Sequence, residues 1–221
     1  MTSARCASWS ARGSLRRLEV KAGLRADFWY EFASTYSYPA AMRVEALAAE
    51  RGVAVNWRPF LLGPIFAARG LSDSPFNLNA AKGRYMWRDL GRVCARHDLP
   101  LRRPEPFPQS SLLAARAALT LGDGERPAFS RAVYAAEFGA GLDIGQSSTI
   151  VGVLKALGLD ADEILERAAT AAVKDRLRSE TALAASLGIF GAPNLVAAEG
   201  EIFWGNDRLE EGLDWVVRVA G

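Results

Sequence analysis

The sequence predicts an α/β fold in which a β-α-β half and a β-β-α half flank a large all-helical insertion. Three observations carry this prediction. Residues 27–62 alternate an aromatic strand pattern, a helical pattern and a second strand pattern. Residues 67–177 hold helical patterns separated by turn residues and no clear strand. Residues 189–220 return to strand, turn, strand and helix. The expected organisation is a split domain made of 27–66 and 178–221, an inserted helical domain at 67–177, and an N-terminal extension at 1–26.

Each element has a local reason. DFWYEFA at 27–33 is rich in residues that suit a buried strand. Ser34 or Ser37 can cap the helix that follows, and Met42, Val44, Leu47 and Ala48 lie near helical spacing before Gly52 stops it. VAVNWRPFLL at 53–62 reads as a strand, with Pro59 at its end or edge. A strand, a helix and a strand in this order predict a right-handed crossover and a parallel pair.

The stretch 63–80 is expected to be a loop, because Gly63, Pro64, Gly70, Asp73, Pro75, Asn77 and Asn79 interrupt it. Lys82 to about Asp98 is helical, with Tyr85, Met86, Leu90 and Val93 as its apolar set. Pro100, Pro104, Pro106 and Pro108 exclude helix from the next segment. Helices are predicted at 111–121, 127–138, 147–157, 161–172 and 174–187. Strands are expected near 194–198 and 201–204, with a turn at Glu199-Gly200. A last amphipathic helix turns Leu209, Leu213, Val216 and Val217 inward. This is the thioredoxin-like plan with a helical insertion.

Composition bounds the function. The chain has 221 residues, half of them hydrophobic and 24% charged, which excludes wholesale disorder. Two cysteines, Cys6 and Cys94, and one histidine, His97, exclude a disulfide scaffold and a cysteine-built zinc site, so no metal is expected. No apolar run reaches about 18 residues, so no transmembrane helix is expected. Residues 1–26 hold six basic residues and one acid. The overall charge is +2, so the remainder is mildly acidic and offers no nucleic-acid surface. The extension is read as a disordered tail or as sequence ahead of the true start; its Ser, Arg and Ala content also suits a transit peptide. No secretory core is present, and a cytoplasmic location is expected.

Four motifs carry a family resemblance over about residues 27–220. They are DFWYEFASTYSYPA at 27–40, WRPFLLGPIF at 57–66, KGRYMWRDLGR at 82–92, and IFGAPNLV at 189–196 with FWGNDRL at 203–209. In this order and spacing the chain resembles the 2-hydroxychromene-2-carboxylate isomerases, which belong with the kappa-class glutathione transferases and DsbA-like proteins. The resemblance implies glutathione as cofactor and a small aromatic acid as substrate. It also admits pairing of two copies into a homodimer.

Redox proteins of this fold carry Cys-x-x-Cys where the first strand meets the first helix. Here that place reads Ser34-Thr35-Tyr36-Ser37, so a dithiol cycle is excluded there. A serine at a helix N-terminus can still act. Free N–H groups and the positive end of the helix dipole favour an anion, and a hydroxyl can donate to a thiolate. Together they can lower the pKa of a bound thiol from about 8.5, each unit corresponding to about 1.4 kcal/mol. The resemblance assigns Ser34 this catalytic role, against the plain alternative of an N-cap; Ser37 is read as structural.

The resemblance further implies that Ala192-Pro193 forms the cis-proline loop that meets glutathione through the Ala192 backbone. It implies that Trp204, Gly205, Asn206 and Asp207 receive the γ-glutamyl end. Asp207 would pair with the ammonium group, and Asn206 or Asp207 would cap the last helix. On the substrate side the candidates are Asn77, Lys82, Tyr85 and Phe107. Arg58 and Arg92 are added as anion partners, Asp89 as the residue orienting one of them, and Trp57, Phe66 and Trp87 as slot lining. Phe107 stands where some members carry tyrosine. His97 and Cys94, late in their helix, are read as non-catalytic. The expected activity is glutathione-dependent cis–trans isomerisation of 2-hydroxychromene-2-carboxylate-type acids. The alternatives are a kappa-like transferase or peroxidase and a non-catalytic thioredoxin-like binding module.

Overall fold

The computed structural model describes residues 23–221. Nearly all of the predicted extension at 1–26, with Cys6, lies outside the described residues.

Strand β1 (Arg25–Tyr30) is followed by α1 (Ser37–Glu50) and β2 (Ala54–Pro59). β1 and β2 are parallel, with Phe28 opposite Trp57 and Tyr30 opposite Pro59. β3 (Asn194–Ala197) pairs antiparallel with β1, and β4 (Ile202–Trp204) pairs antiparallel with β3. The sheet order is β2-β1-β3-β4. This is the mixed four-stranded sheet of a thioredoxin-like fold, with the helical insertion between β2 and β3.

Phe28–Tyr30 of β1 is an unbroken, fully buried apolar run because both faces of the strand are covered there. Successive side chains point to opposite faces. Phe28 and Tyr30 join the main core, where Trp57 meets both rings edge-on at 5.0 and 5.3 Å. Trp29, on the other face, packs with Phe60, Ile65 and Ile189. Each such fully buried aromatic side chain stabilises the fold by about 1.5–3 kcal/mol relative to exposure.

The insertion holds α2 (Leu62–Ala68), α3 (Pro75–Leu78), α4 (Ala80–Arg96), α5 (Leu112–Thr120), α6 (Arg126–Tyr134), α7 (Ser147–Ala156), α8 (Ala161–Ala169) and α9 (Ala171–Ser186). A π-turn, Ala135–Gly139, prolongs α6, and α10 (Leu209–Val219) closes the chain after a 3-10 turn at Asn206–Arg208. α4 buries Met86, Leu90 and Cys94 at helical spacing, whereas Tyr85 faces out. Thr170 caps α9 by accepting the Val173 N–H, and α10 buries Leu209, Leu213 and Val216.

One expectation is corrected. Residues 63–80 are not one loop, since α2 and α3 occupy most of them. Gly63 and Pro64 sit in the first turn of α2, where proline costs no helical hydrogen bond. Ser74 caps α3 with Pro75 in its first turn, so residues read as helix breakers start helices here. Gly83 in α4 is required by the fold: a Cβ there would lie 2.5 Å from the Phe76 carbonyl oxygen of α3.

Candidate functional site

The chain leaves β1 at Tyr30 and enters α1 at Ser37 through a tight turn. The Ser34 N–H donates to the Glu31 carbonyl at 3.0 Å, and the Ser37 N–H to the Ser34 carbonyl at 3.1 Å. Neither serine caps α1 through its side chain. The cap position is Tyr36, in helical conformation and without a side-chain cap bond. The half-buried Ser34 instead donates its hydroxyl to the Ala192 carbonyl at 3.0 Å. Ser37 is wholly buried, as expected of a structural residue.

That hydrogen bond joins the turn to the second half of the sheet. The Ala192–Pro193 peptide is cis, as the motif predicts. The Gly205 N–H donates to the Pro193 carbonyl at 2.9 Å, which ties the proline loop to the segment between β4 and α10. Gly205 has φ +113, and a Cβ there would meet the Asp207 carboxylate at 2.5 Å. The structure thus brings Ser34, Ala192, Pro193, Gly205 and Asp207 to one end of the sheet, past the C-terminal end of β1.

The expected cap on α10 is not made by Asn206 or Asp207; Arg208 holds the cap position without a side-chain bond. Asn206 is buried and accepts from Arg43 of α1 at 2.9 Å, and Arg43 also pairs with Glu210. Asn206 is therefore committed to holding its loop against α1. Asp207 points outward with its side chain 79% exposed, and its carboxylate lies 3.8 Å from the exposed Arg208 guanidinium. Trp204 is half exposed and meets Phe190 edge-on at 4.7 Å. Gly191 leaves room for it, since a Cβ there would lie 2.6 Å from the indole nitrogen.

The carboxylate of Glu31 lies beneath the turn. It accepts from the Leu62 N–H at 3.0 Å and the Ala33 N–H at 3.3 Å. Burial raises its pKa above the ordinary carboxylate value, and the Ser111 hydroxyl and the backbone donors moderate the rise. Glu137, in the π-turn, is wholly buried with both oxygens unpartnered among the described residues. Burial, with Glu31 and Asp143 nearby, raises its pKa further. An acid within the aromatic stretch 28–32, just past β1, was the available signal for Glu31. Nothing in the sequence marked Glu137.

The proposed substrate-side residues are only partly assembled. Asp89 of α4 accepts the Tyr36 hydroxyl at 2.8 Å and binds Arg92 at 2.8 Å. Arg92 lies over the Tyr85 ring at 5.6 Å. A chain of contacts therefore runs from the Ser34 turn through Tyr36, Asp89 and Arg92 to the exposed Tyr85. Tyr36 was not among the sequence candidates. Its pKa is raised, by burial first and then by its bond to Asp89. Lys82 is exposed on the first turn of α4, whose start Asn79 caps. Asn77 is exposed and donates to Asp73 at 3.0 Å. Phe107 packs against Trp87 at 4.9 Å and Phe138 at 6.3 Å, at the margin of the core.

Two candidates are removed. Arg58 is held by Asp27 at 3.0 Å and Glu180 at 2.8 Å and lies over Trp29, so it has no free charge for an anion. Trp57 is core rather than slot lining, because Phe28 and Tyr30 enclose it. Cys94 is buried and its thiol is pushed up to about 11 by burial. His97 ends α4, and its pKa is lowered by burial and by Arg43 and Arg96. A cavity of about 880 Å³ lies beside α10 and reaches Asn206 and Asp207 but not Ser34. The chemistry is better placed by the Ser34 hydrogen bond than by cavity size.

Residues 25–214 match the family described as DSBA-like thioredoxin domain. The chain is 32% identical to a 2-hydroxychromene-2-carboxylate isomerase of Sphingobium xenophagum, covering 83% of this chain and 93% of that one. It is 27% identical to glutathione S-transferase kappa 1 of Homo sapiens, covering 83% and 87%. The solved structure of a 2-hydroxychromene-2-carboxylate isomerase superposes with a TM-score of 0.81 at 25% identity, covering 89% of this chain and 96% of that one. These relatives are enzymes, isomerases and glutathione transferases. The chain belongs to the DsbA-like thioredoxin family and, within it, to the 2-hydroxychromene-2-carboxylate isomerases and their kappa-class glutathione transferase kin.

Proposed function

We propose that this protein is a glutathione-dependent cis–trans isomerase of 2-hydroxychromene-2-carboxylate-type acids. The observation that carries the reading is the Ser34 hydroxyl, set at the start of α1 and 3.0 Å from the Ala192 carbonyl of the cis-proline loop. The residues present fit glutathione. Ser34 offers a hydroxyl donor beside the N–H groups of a helix start. Ala192 offers peptide backbone for strand-like pairing. Asp207 offers an exposed carboxylate for an ammonium group, in exchange for its long surface contact with Arg208, close to the N-terminal end of α10. When bound, glutathione supplies a thiolate that adds reversibly to the conjugated acid, so that the double bond turns as a single bond.

The chain's own part is to hold that sulfur as an anion. The Ser34 proton is engaged with Ala192 in this structure, so the hydroxyl must turn from a neutral acceptor to a charged one. The exchange is favourable, because a hydrogen bond to a charged group contributes about 1.5–3 kcal/mol against about 1 kcal/mol for a neutral pair. Lys82 and Arg92 are proposed to meet the substrate carboxylate, with Asp89 fixing Arg92. Asn77, Tyr85 and Phe107 are proposed to complete the substrate side, and the helices 67–177 to form the domain that carries it. A homodimer remains part of this reading, as does a cytoplasmic location. Among the described residues no helix is long and apolar enough to cross a membrane.

A second reading, a kappa-like glutathione transferase, is favoured by the 27% identity to the human enzyme. One experiment separates the readings. Glutathione is titrated calorimetrically into the wild type and the Ser34→Ala and Asp207→Ala variants. The chromene acid and a generic aryl halide are then offered with glutathione present. Isomerisation that needs glutathione and Ser34 supports the first reading. Conjugation of the halide alone supports the second. No heat at millimolar glutathione overturns both and leaves a binding module.

A further inference from the structure

A second cavity, of about 420 Å³, opens between α2, α5 and α9. No residue of the Ser34 turn, the cis-proline loop or the 204–208 segment lines it. Its wall is apolar, with Leu61, Ile65, Ala68, Leu112, Leu177 and Ala185. Thr181, its uncharged polar lining residue, has its hydroxyl committed to accepting the Leu61 N–H at 3.2 Å.

Three cations also line this apolar space. They are Arg116 of α5 and Lys174 and Arg178 of α9. Arg178 is paired with Asp175 one turn away. Arg116 and Lys174 are half-buried and engage no carboxylate among the described residues. The Nε of Arg116 is withdrawn from water and has no hydrogen-bond partner among the described residues. A withdrawn, unpaired guanidinium donor is costly, and such groups call for a partner. A guanidinium fork matches a carboxylate in two parallel hydrogen bonds. The volume lies within the range of small-molecule sites, as does a mostly apolar lining with a few convergent polar groups.

We propose that this cavity is a binding site for an apolar monocarboxylate, a fatty acid or an aryl carboxylate. The carboxylate meets Arg116 and Lys174, and the tail lies on the wall between α2 and α9. The site is separate from the Ser34 site and does not depend on glutathione.

The test is calorimetric titration of the full chain with decanoate and with 2-naphthoate, using decanol as a control that keeps the tail and loses the charge. Saturable binding of either acid is expected, with decanol at least tenfold weaker. The stronger of the two acids tells an aliphatic from an aromatic tail. Arg116→Gln should weaken binding at least tenfold, and Arg116→Lys should restore part of it. Ala185→Trp, an exposed position on the wall, should block the tail while leaving the cations in place. Ser34→Ala should bind as the wild type does. The proposal is overturned if neither acid saturates, if Arg116→Gln binds unchanged, or if Ser34→Ala loses the acid. Circular dichroism of each variant separates lost binding from lost folding; if Arg116→Gln fails to fold, Ala185→Trp decides, and unchanged acid binding there overturns the proposal.

Discussion

Ser34 and Ala192 stand 158 residues apart in the chain and are joined by one hydrogen bond of 3.0 Å. That bond closes the two halves of the sheet over the place where related redox proteins keep a dithiol. In the proposed function its proton is the one that a bound thiolate captures. Ser34→Ala should therefore lower glutathione-dependent turnover by about 10- to 150-fold, the equivalent of a charge-assisted hydrogen bond of about 1.5–3 kcal/mol. Ultraviolet absorbance of the bound thiolate should move to higher pH in the same variant. Equal thiolate titration in both proteins would sink the role proposed for Ser34.

Asp207 lies at the surface, whereas its neighbour Asn206 is locked to Arg43. Replacing Asp207 with alanine should leave stability within about 0.5 kcal/mol, as for exposed sites in general. Its glutathione affinity should fall about tenfold or more, consistent with loss of a charge-assisted contact. Replacing Asn206 should do the opposite, lowering stability by about 1–3 kcal/mol because the half-buried Arg43 guanidinium loses the buried amide it donates to. Parallel denaturation and titration curves for both variants check this division of labour.

Glu137 gives a pH signature. Its folded pKa is raised above the ordinary 4.5 by burial, so the folded state holds a proton that the unfolded chain releases. The contribution to stability is complete below about pH 4.5 and is lost as pH rises toward the folded value. Glu137→Gln should accordingly raise the melting temperature at pH 8 relative to the wild type, and by less at pH 5. Melting curves that differ by a constant amount across this range would remove Glu137 as the cause.

Cys94 is shut away with a thiol pushed up to about 11. In a Cys6→Ser background it should resist a thiol reagent at neutral pH until denaturant is added. Rapid labelling of the native protein would contradict the packing of α4.

Gly212 of α10 sits against the sheet. A Cβ there would meet Leu195 at 2.8 Å and the Phe203 ring at 2.9 Å. Gly212→Ala should cost about 1–3 kcal/mol through overpacking, despite alanine's better helix propensity, and a shifted urea midpoint would show it.

What the sequence disclosed follows from which forces are local. β1, α1 and β2 were legible because an aromatic run, a helical spacing and Gly52 lie side by side in the chain. The π-turn after α6 was not, because the predicted helix 127–138 runs into it without a local break in pattern. Gly63, Pro64 and Pro75 misled because the same residues that break a helix interior begin a helix. In the candidate site, motifs singled out Ser34, Pro193 and Asp207, and the local geometry they led to is the Ser34–Ala192 bond and the cis Ala192–Pro193 peptide. The Tyr36–Asp89 bond was not, since it spans 53 residues and neither partner stands in an unusual local pattern. Arg58 was misplaced for the same reason: Asp27 and Glu180, which neutralise it, come from distant parts of the chain.

The sheet order has a consequence for how the molecule is made. β1 is central, yet its neighbour β3 begins at Asn194, after the whole helical insertion. A ribosome finishes β1, β2 and every inserted helix before the strand that covers the open edge of β1 exists. Until then that edge stays unpaired, and the Ser34 hydroxyl has no Ala192 carbonyl to meet. Nascent chains halted before Ala192 therefore lack the Ser34–Ala192 contact altogether, and during synthesis they depend on the insertion, or on a chaperone, to shield an aromatic strand from other chains.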